Sequence, residues 1–399
     1  MSSETTTTTT CPFTNIDTSP AITSNHPSTI HAAYDTLRTT TPLAYTTAHG
    51  GYYLLTRYAD IKSAALNPST FISSVRAVIP SDPRGLRRPP LNFDAPHHTP
   101  YRTALDRTLK PARLVRLAEP LEQHAEALLR PLIEKGKGDI CTEFTSHYAA
   151  WVETEWLNLA PETAPKLAST ASKWVDAWRR MDGEMTSAYS GELYEIARGV
   201  LEERRKCPRE REEDPVSSLL GEGLEEVHLL GCIRQSLVVG MVAPPLMLGG
   251  ICNHLSQHPA LQSQLREDPS LIPAAIEEFV RLFSPYRGFT RTVSQPTVLH
   301  GQTIEPGIPV TMTYSAANRD PEVFEDPHEF VLGRENIRMH LGFGRGRHRC
   351  VGQPLATLAL QIALRTLLKH TKSFEVNGEL EYARMPEMGI ISCPLSFEV

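Results

Sequence analysis

Between positions 340 and 364 the chain reads HLGFGRGRHRCVGQPLATLALQIAL. Gly342, Gly344 and Gly346, three arginines (345, 347, 349) and His348 lead to Cys350, then Gly352, then an apolar run with helical period. A cysteine just ahead of a helix meets free backbone N–H groups and the positive end of the helix dipole, and both favour its thiolate. Glycines around it let the backbone approach a flat ligand and donate hydrogen bonds to sulfur. These residue types suit the presentation of a soft, anionic sulfur to a metal ion. The seven cysteines (11, 141, 207, 232, 252, 350, 393) are odd in number and form no CxxC pair. Neither a zinc ribbon nor a disulfide framework follows from them, and a reducing, intracellular setting fits best.

The segment FGRGRHRCVG (343–352) resembles the haem-binding loop of the cytochrome P450 family, Phe-Gly-x-Gly-x-His-x-Cys-x-Gly, at every fixed position, Phe343 and Gly352 included. Three more segments resemble the family in order and spacing. EEFVR places Glu278 and Arg281 one turn apart on one helix face, and FVLGR offers Arg334 as a third, structural partner. DAPHHTPYR (94–102) resembles the helix over the haem edge, and AANRDPEVFEDPHEF (316–330) the approach to the meander. The resemblance covers about residues 30–399 and is to soluble, bacterial-type members. It implies haem b, with Cys350 as the axial thiolate on iron, a ligand that pushes electron density onto the metal and favours O–O cleavage. It further implies that His98, Arg102, Arg291 and His348 pair with the two haem propionates, for which bidentate Arg and charged His are suited.

The family's central helix crosses the distal haem face and usually carries Gly-x-(Glu/Asp)-Thr nineteen residues before the proline of an HP turn. Here that turn is His258-Pro259, and Gly240 lies nineteen residues earlier. The acid position is then Val242 and the alcohol position Ala243, followed by Pro244 and Pro245. Both proton-handling side chains are absent. Two prolines inside a helix cost about 3 kcal/mol each and leave the carbonyls of Gly240 and Met241 without their usual donors. A kinked, widened groove in which those carbonyls hold water or substrate is one expectation; a kink that serves packing alone is the other.

The elements that must position these residues can be read coarsely. The chain of 399 residues is 40% hydrophobic and 22% charged, ordinary for a folded protein, and its net charge of −6 gives no sign of a nucleic-acid partner. A Thr/Ser-rich leader is expected over residues 1–25, and one haem-thiolate domain over 26–399. The spacing predicts a strand arm at 51–58 with a helix at 59–67. Helices follow near 98–109, 114–136, 139–159, 163–181, 184–206, 225–256, 259–266, 270–283 and 350–370. LEERRKCPREREEDP (201–215) reads as an exposed charged connector. Strand texture recurs after 286, so the expected class is mainly α with small β-sheets near both ends, α+β. The uncharged run 236–253 is long enough to span a bilayer, but its prolines and glycines favour a buried core helix, and no membrane anchor is expected.

Substrate-facing candidates by resemblance are the 75–93 loop, residues 178–189, Val239, Val242, Ala243, the 286–290 stretch with Arg287 and Phe289, and the turn at 386–391. The arginines at 76, 84, 87, 88 and 287 leave two readings open: a substrate carboxylate, or surface charge in a mobile loop. Arg345, Arg347 and Arg349, with Lys110, Arg113 and Arg116, would form a basic patch for an acidic electron donor such as a ferredoxin with its reductase. No flavin or nicotinamide fingerprint occurs in the sequence. The expected function is a cytoplasmic monooxygenase acting on a small hydrophobic or aromatic metabolite. Peroxide-dependent oxidation, oxidative coupling by the same site, and a non-catalytic haem- or ligand-binding protein are the alternatives.

Overall fold

The computed structural model describes residues 15–80 and 86–399. Eight helices frame the site. They are α1 (His98–Arg107), α2 (Pro111–Glu134), α3 (Ser146–Trp156), α4 (Thr163–Arg179), α5 (Gly183–Lys206), α6 (Glu226–Gln257), α7 (Ile272–Leu282) and α8 (Gln353–His370). Their long apolar stripes form a core that runs from Tyr101 to Phe397. The most apolar of them, α6, passes through its middle. Leu237, Leu248, Ile251 and Leu255 of α6 are fully buried, and the run 236–253 is mostly buried in protein, opening at Val239 where it lines a cavity. It packs on α3, α4, α5 and α8.

Strands from both ends of the chain join in the largest sheet among the described residues. Strands β1 (Leu43–Thr46), β2 (Tyr52–Leu55) and β3 (Phe71–Ile72) combine with β4 (Phe289–Val293) and β5 (Pro309–Met312) in the order β1-β2-β5-β4-β3. The β1–β2 hairpin is antiparallel, β2 runs parallel to β5 with Tyr53 opposite Val310, and β4 pairs antiparallel with β5, Phe289 opposite Met312. Smaller sheets hold the C-terminal strands, including Lys137–Asp139 with Pro394–Glu398.

The ion pair read from EEFVR is present. Arg281 Nε and Nη2 donate to the two Glu278 carboxylate oxygens at 2.8 and 2.7 Å, and Arg334 Nε donates to Oε1 at 3.1 Å. Arg281 also donates to the carbonyls of Asn318, Pro327 and Glu329. One buried triad thus ties α7 to the segment that approaches the cysteine loop.

Two expectations are corrected. Residues 15–25, placed in the leader, are built into the fold. Asn15 bridges to Tyr45, Ile16 is buried, and Ser19 caps a short helix, Pro20–Thr23. Residues 1–14 lie outside the described residues, as does Arg84. The connector 201–215 is exposed only in part. Arg204 and Asp214 are fully buried and pair at 2.9 Å, and Arg204 also donates to the carbonyls of Leu157 and Asn158. A pattern of charge cannot show which charges find a partner inside.

Candidate active site

Cys350 opens into a cavity of about 1000 Å³. One wall is the start of α8 (Leu355, Ala356, Ala359, Leu360, Ala363); the opposite wall is α6 (Val238, Val239, Gly240, Val242, Ala243, Pro244, Met247). The space between them is a slot bounded by two helices with the thiol at one side.

The loop is held open by local chemistry. Phe343 O accepts from Cys350 N at 2.8 Å, which closes the loop on itself. Gly346 has φ +74°, and a Cβ there would stand 2.2 Å from the Ala65 carbonyl. That glycine is needed for close packing on the protein, a reason different from the approach to a ligand expected from sequence. Burial pushes the Cys350 thiol up from its ordinary value, opposed by the N–H groups of Gly352 and Gln353 and by Arg102 and Arg349. The donors expected at a helix start therefore do face the sulfur.

The four cationic residues assigned to propionates come together at this cavity: His98, Arg102, Arg291 and His348 all line it. The rings of His98 and His348 meet edge to face at 4.6 Å. His98 Nε2 and His348 Nε2 are buried without a hydrogen-bond partner, and Asp94 Oδ1 stands 3.8 Å from the latter. Arg291 is buried and donates to the Thr290 carbonyl. Arg102 donates to Asp106 and to the carbonyl of Arg349. Burial, with His348, Arg102 and Arg347 around it, holds His98 down to about 3 in the chain alone. Unfilled donors among like charges fit a group bearing carboxylates, and the long slot beside Cys350 fits a flat ring.

On the distal side α6 stays helical through Pro244 and Pro245. Val242, Ala243 and Pro244 line the cavity as expected, and so do Val239 and Phe289. Arg287 does not. It is buried, and its guanidinium donates to the carbonyls of Ala21, Ser24 and Glu387. Its charge is spent on pinning the N-terminal segment. The 386–391 turn likewise stands behind the lining: Pro386 O and Met388 N bond the backbone of Arg287 and Pro285, and Glu387 pairs with Arg179 at 2.8 Å. Arg87 points away, donating to the carbonyls of Ser74 and Asn92, whereas Arg88 lines the cavity.

Sequence reading missed Glu153 of α3. It is buried, lines the cavity and lies against Gly240: a Cβ on Gly240 would stand 1.7 Å from Glu153 Oε1. Oε2 has no hydrogen-bond partner. Burial raises the carboxyl to about 8, so it keeps its proton at neutral pH. Trp174, Ser190, Tyr194 and Arg234 were missed as well, and all four line the cavity. The one signal for Arg234 was its isolation: it is the only Asp, Glu, Lys or Arg between Glu226 and Arg266.

Comparison with known proteins agrees with this geometry. Residues 251–394 match the family model described as Cytochrome P450. Cytochrome P450 107B1 of Saccharopolyspora erythraea is 30% identical over 335 residues, covering 79% of this chain and 81% of that protein. Cytochrome P450-terp of a Pseudomonas species is 28% identical over 88% of this chain and 89% of its own. Among solved structures, CYP101C1 superposes with a TM-score of 0.84 at 25% identity, covering 96% of this chain and 95% of that one. The chain belongs to the cytochrome P450 family and is an oxidoreductase whose cofactor is haem b held by a cysteine thiolate.

Proposed function

We propose that the chain is a cytoplasmic monooxygenase that oxidises a small, largely apolar molecule held against α6. The observation that carries this reading is the slot itself, with Cys350 at one wall, unpaired donors at one end and an apolar distal wall. Cys350 would be the axial ligand, with Phe343 and Gly352 shaping its loop. His98, Arg102, Arg291 and His348 would hold the propionates. When bound, the haem supplies activation of dioxygen, favoured by the electron-rich thiolate.

The side chains of this protein then bind substrate and hold protons. Val239, Val242, Ala243 and Phe289 offer apolar contacts that exclude water. Val242 and Ala243 offer neither acid nor hydroxyl, so a side-chain proton source must come from another element. Glu153 fits this role. It holds a proton on its carboxyl at neutral pH and reaches α6 at Gly240, whose carbonyl lacks its i+4 donor because residue 244 is proline. An ordered water between that carbonyl and the carboxyl would complete a path.

Electrons would come from a separate acidic partner of the ferredoxin type. Arg347 and Arg349 are exposed beside the cysteine loop, and Lys110 is exposed at the start of α2. Arg113 and Arg116, expected in this patch, instead pair with Glu213. A second reading, oxidation by peroxide, is favoured by the missing acid–alcohol pair, since peroxide brings its own protons. The test supplies a ligand that shifts the Soret band with either a ferredoxin pair and isotope-labelled dioxygen or with unlabelled peroxide. Labelled product with the ferredoxin pair supports the monooxygenase. Product with peroxide alone overturns that reading in favour of the second.

A further inference from the structure

The cavity contains a cation that no carboxylate among the described residues neutralises. Arg234 of α6 is 1% exposed. Its Nη2 donates to Ser190 Oγ at 3.2 Å, while Nε and Nη1 have no partner. Among the described residues no carboxylate pairs with it. Its guanidinium lies 4.5 Å from the centroid of Trp174 and 5.9 Å from that of Tyr194. Trp174 Nε1 is also a buried donor without a partner, and Trp174 stacks with Trp178 at 5.9 Å. Arg88 adds a second positive charge, close enough to disfavour the charge on Arg234.

A buried guanidinium is costly unless its donors and charge are met. Two other fully buried arginines are met by carboxylates from within the chain, Arg204 by Asp214 and Arg281 by Glu278. Arg234 is met only by one hydroxyl and two aromatic faces. Three unpartnered donor nitrogens, counted over Arg234 and Trp174, belong to residues that line one cavity. Glu153, on the same cavity, is protonated at neutral pH and brings no compensating charge there. What is absent is an acceptor with negative charge, and what surrounds the gap is aromatic.

We propose that Arg234, Trp174 and Ser190 form an anion-recognition subsite, and that the molecule taken by this cavity is a carboxylate on an apolar, aromatic-compatible body. This rests on the monooxygenase reading of the same cavity and deepens it. The planar guanidinium of Arg234 meets the carboxylate through its unfilled N–H groups, and Trp174 Nε1 adds a neutral donor. Arg234, Val238 and Val242 follow one another at i, i+4, i+8 along α6, so they share a face. Arg234 stands six residues before Gly240, roughly 9 Å along the helix axis. The carboxylate is therefore anchored away from the reacting end, and the oxidised atom lies at a distance from it set by that spacing.

The test titrates haem-loaded protein with phenylbutyrate, indolepropionate and naphthoate, each beside its carboxamide, reading both the Soret band and the heat of binding. The expected result is that at least one acid binds about tenfold or more tightly than its amide. Arg234→Met should remove that preference by weakening the acids far more than the amides, and Arg234→Lys should keep part of it. Each variant is first checked for its carbon monoxide spectrum and for the shift caused by imidazole. Equal binding of acids and amides, no binding of any acid at millimolar concentration, or a Met variant that weakens both alike would overturn the proposal. Failure of the underlying haem reading shows itself separately, as a missing thiolate-type spectrum in the wild type.

Discussion

Glu153 and Cys350 mark the two extremes of what residues reveal in isolation. Cys350 was legible because its loop, its donors and the helix behind it are contiguous in sequence. Glu153 was not, because its meaning depends on Gly240, 87 positions away, where only the absence of a Cβ admits its carboxyl. One of two acids in HYAAWVETEW gives no such hint. Arg287 failed in the opposite way: its place in the sequence suggested the pocket, but three carbonyls claim its donors. Glu153 also makes a pH prediction. Its carboxyl is raised from 4.5 to about 8 in the folded chain, so the folded state binds the extra proton between those values. Stability must then fall as pH rises from 4.5 towards 8, by about 5 kcal/mol at most, and stay low above it. Glu153→Gln should flatten that slope in urea melts and remove an inflection near 8 from the coupling of electron use to product. An unchanged slope and profile would remove Glu153 from the account. The alcohol position offers a companion test. Ala243→Thr restores a hydroxyl beside the groove, and turnover or peroxide leakage should change; no change in either contradicts the proton account.

At the scale of elements, α6 holds the most information and some of the conflict. Its apolar run and its HP turn place it within a residue or so of where it lies, from Glu226 to Gln257. The two prolines do not end the helix. Helices packed on several sides hold α6 in helical geometry, and packing overrides local preference. The cost of the prolines remains, which points to selection for the site rather than for stability. Pro244 is half-buried and faces the cavity, so little packing is lost when it is replaced. Pro244→Ala should therefore raise stability by about 1–3 kcal/mol in denaturant melts, while restoring a donor to the Gly240 carbonyl and lowering coupling. A less stable variant with unaltered coupling would show that the proline serves packing alone. The triad of Glu278, Arg281 and Arg334 was readable in outline because two of its members are one turn apart. The carbonyls that complete it come from a segment with no periodicity to read.

For the whole molecule, class and order were legible, but long-range pairing was not. The parallel contact of β2 with β5 joins Tyr53 to Val310, a closure that hydropathy patterns cannot register. Charge patterning gave the basic face only in part, because Glu213 neutralises two of its expected members. Arg347 is exposed at that face. Arg347→Glu should slow reduction by a ferredoxin several-fold at low ionic strength, and the difference should shrink towards 1 M salt, where screening reaches about 3 Å. A rate insensitive to both would place the donor elsewhere. The fold, the slot and the donors all converge on one assembly, haem held by the sulfur of Cys350. The most direct measurement is the carbon monoxide spectrum of the reduced holoprotein, wild type beside Cys350→His. The account predicts the red-shifted Soret band of thiolate ligation in the wild type, replaced in the variant by the histidine type with haem still bound. A histidine-type band in the wild type, or a thiolate band that survives the substitution, would contradict it.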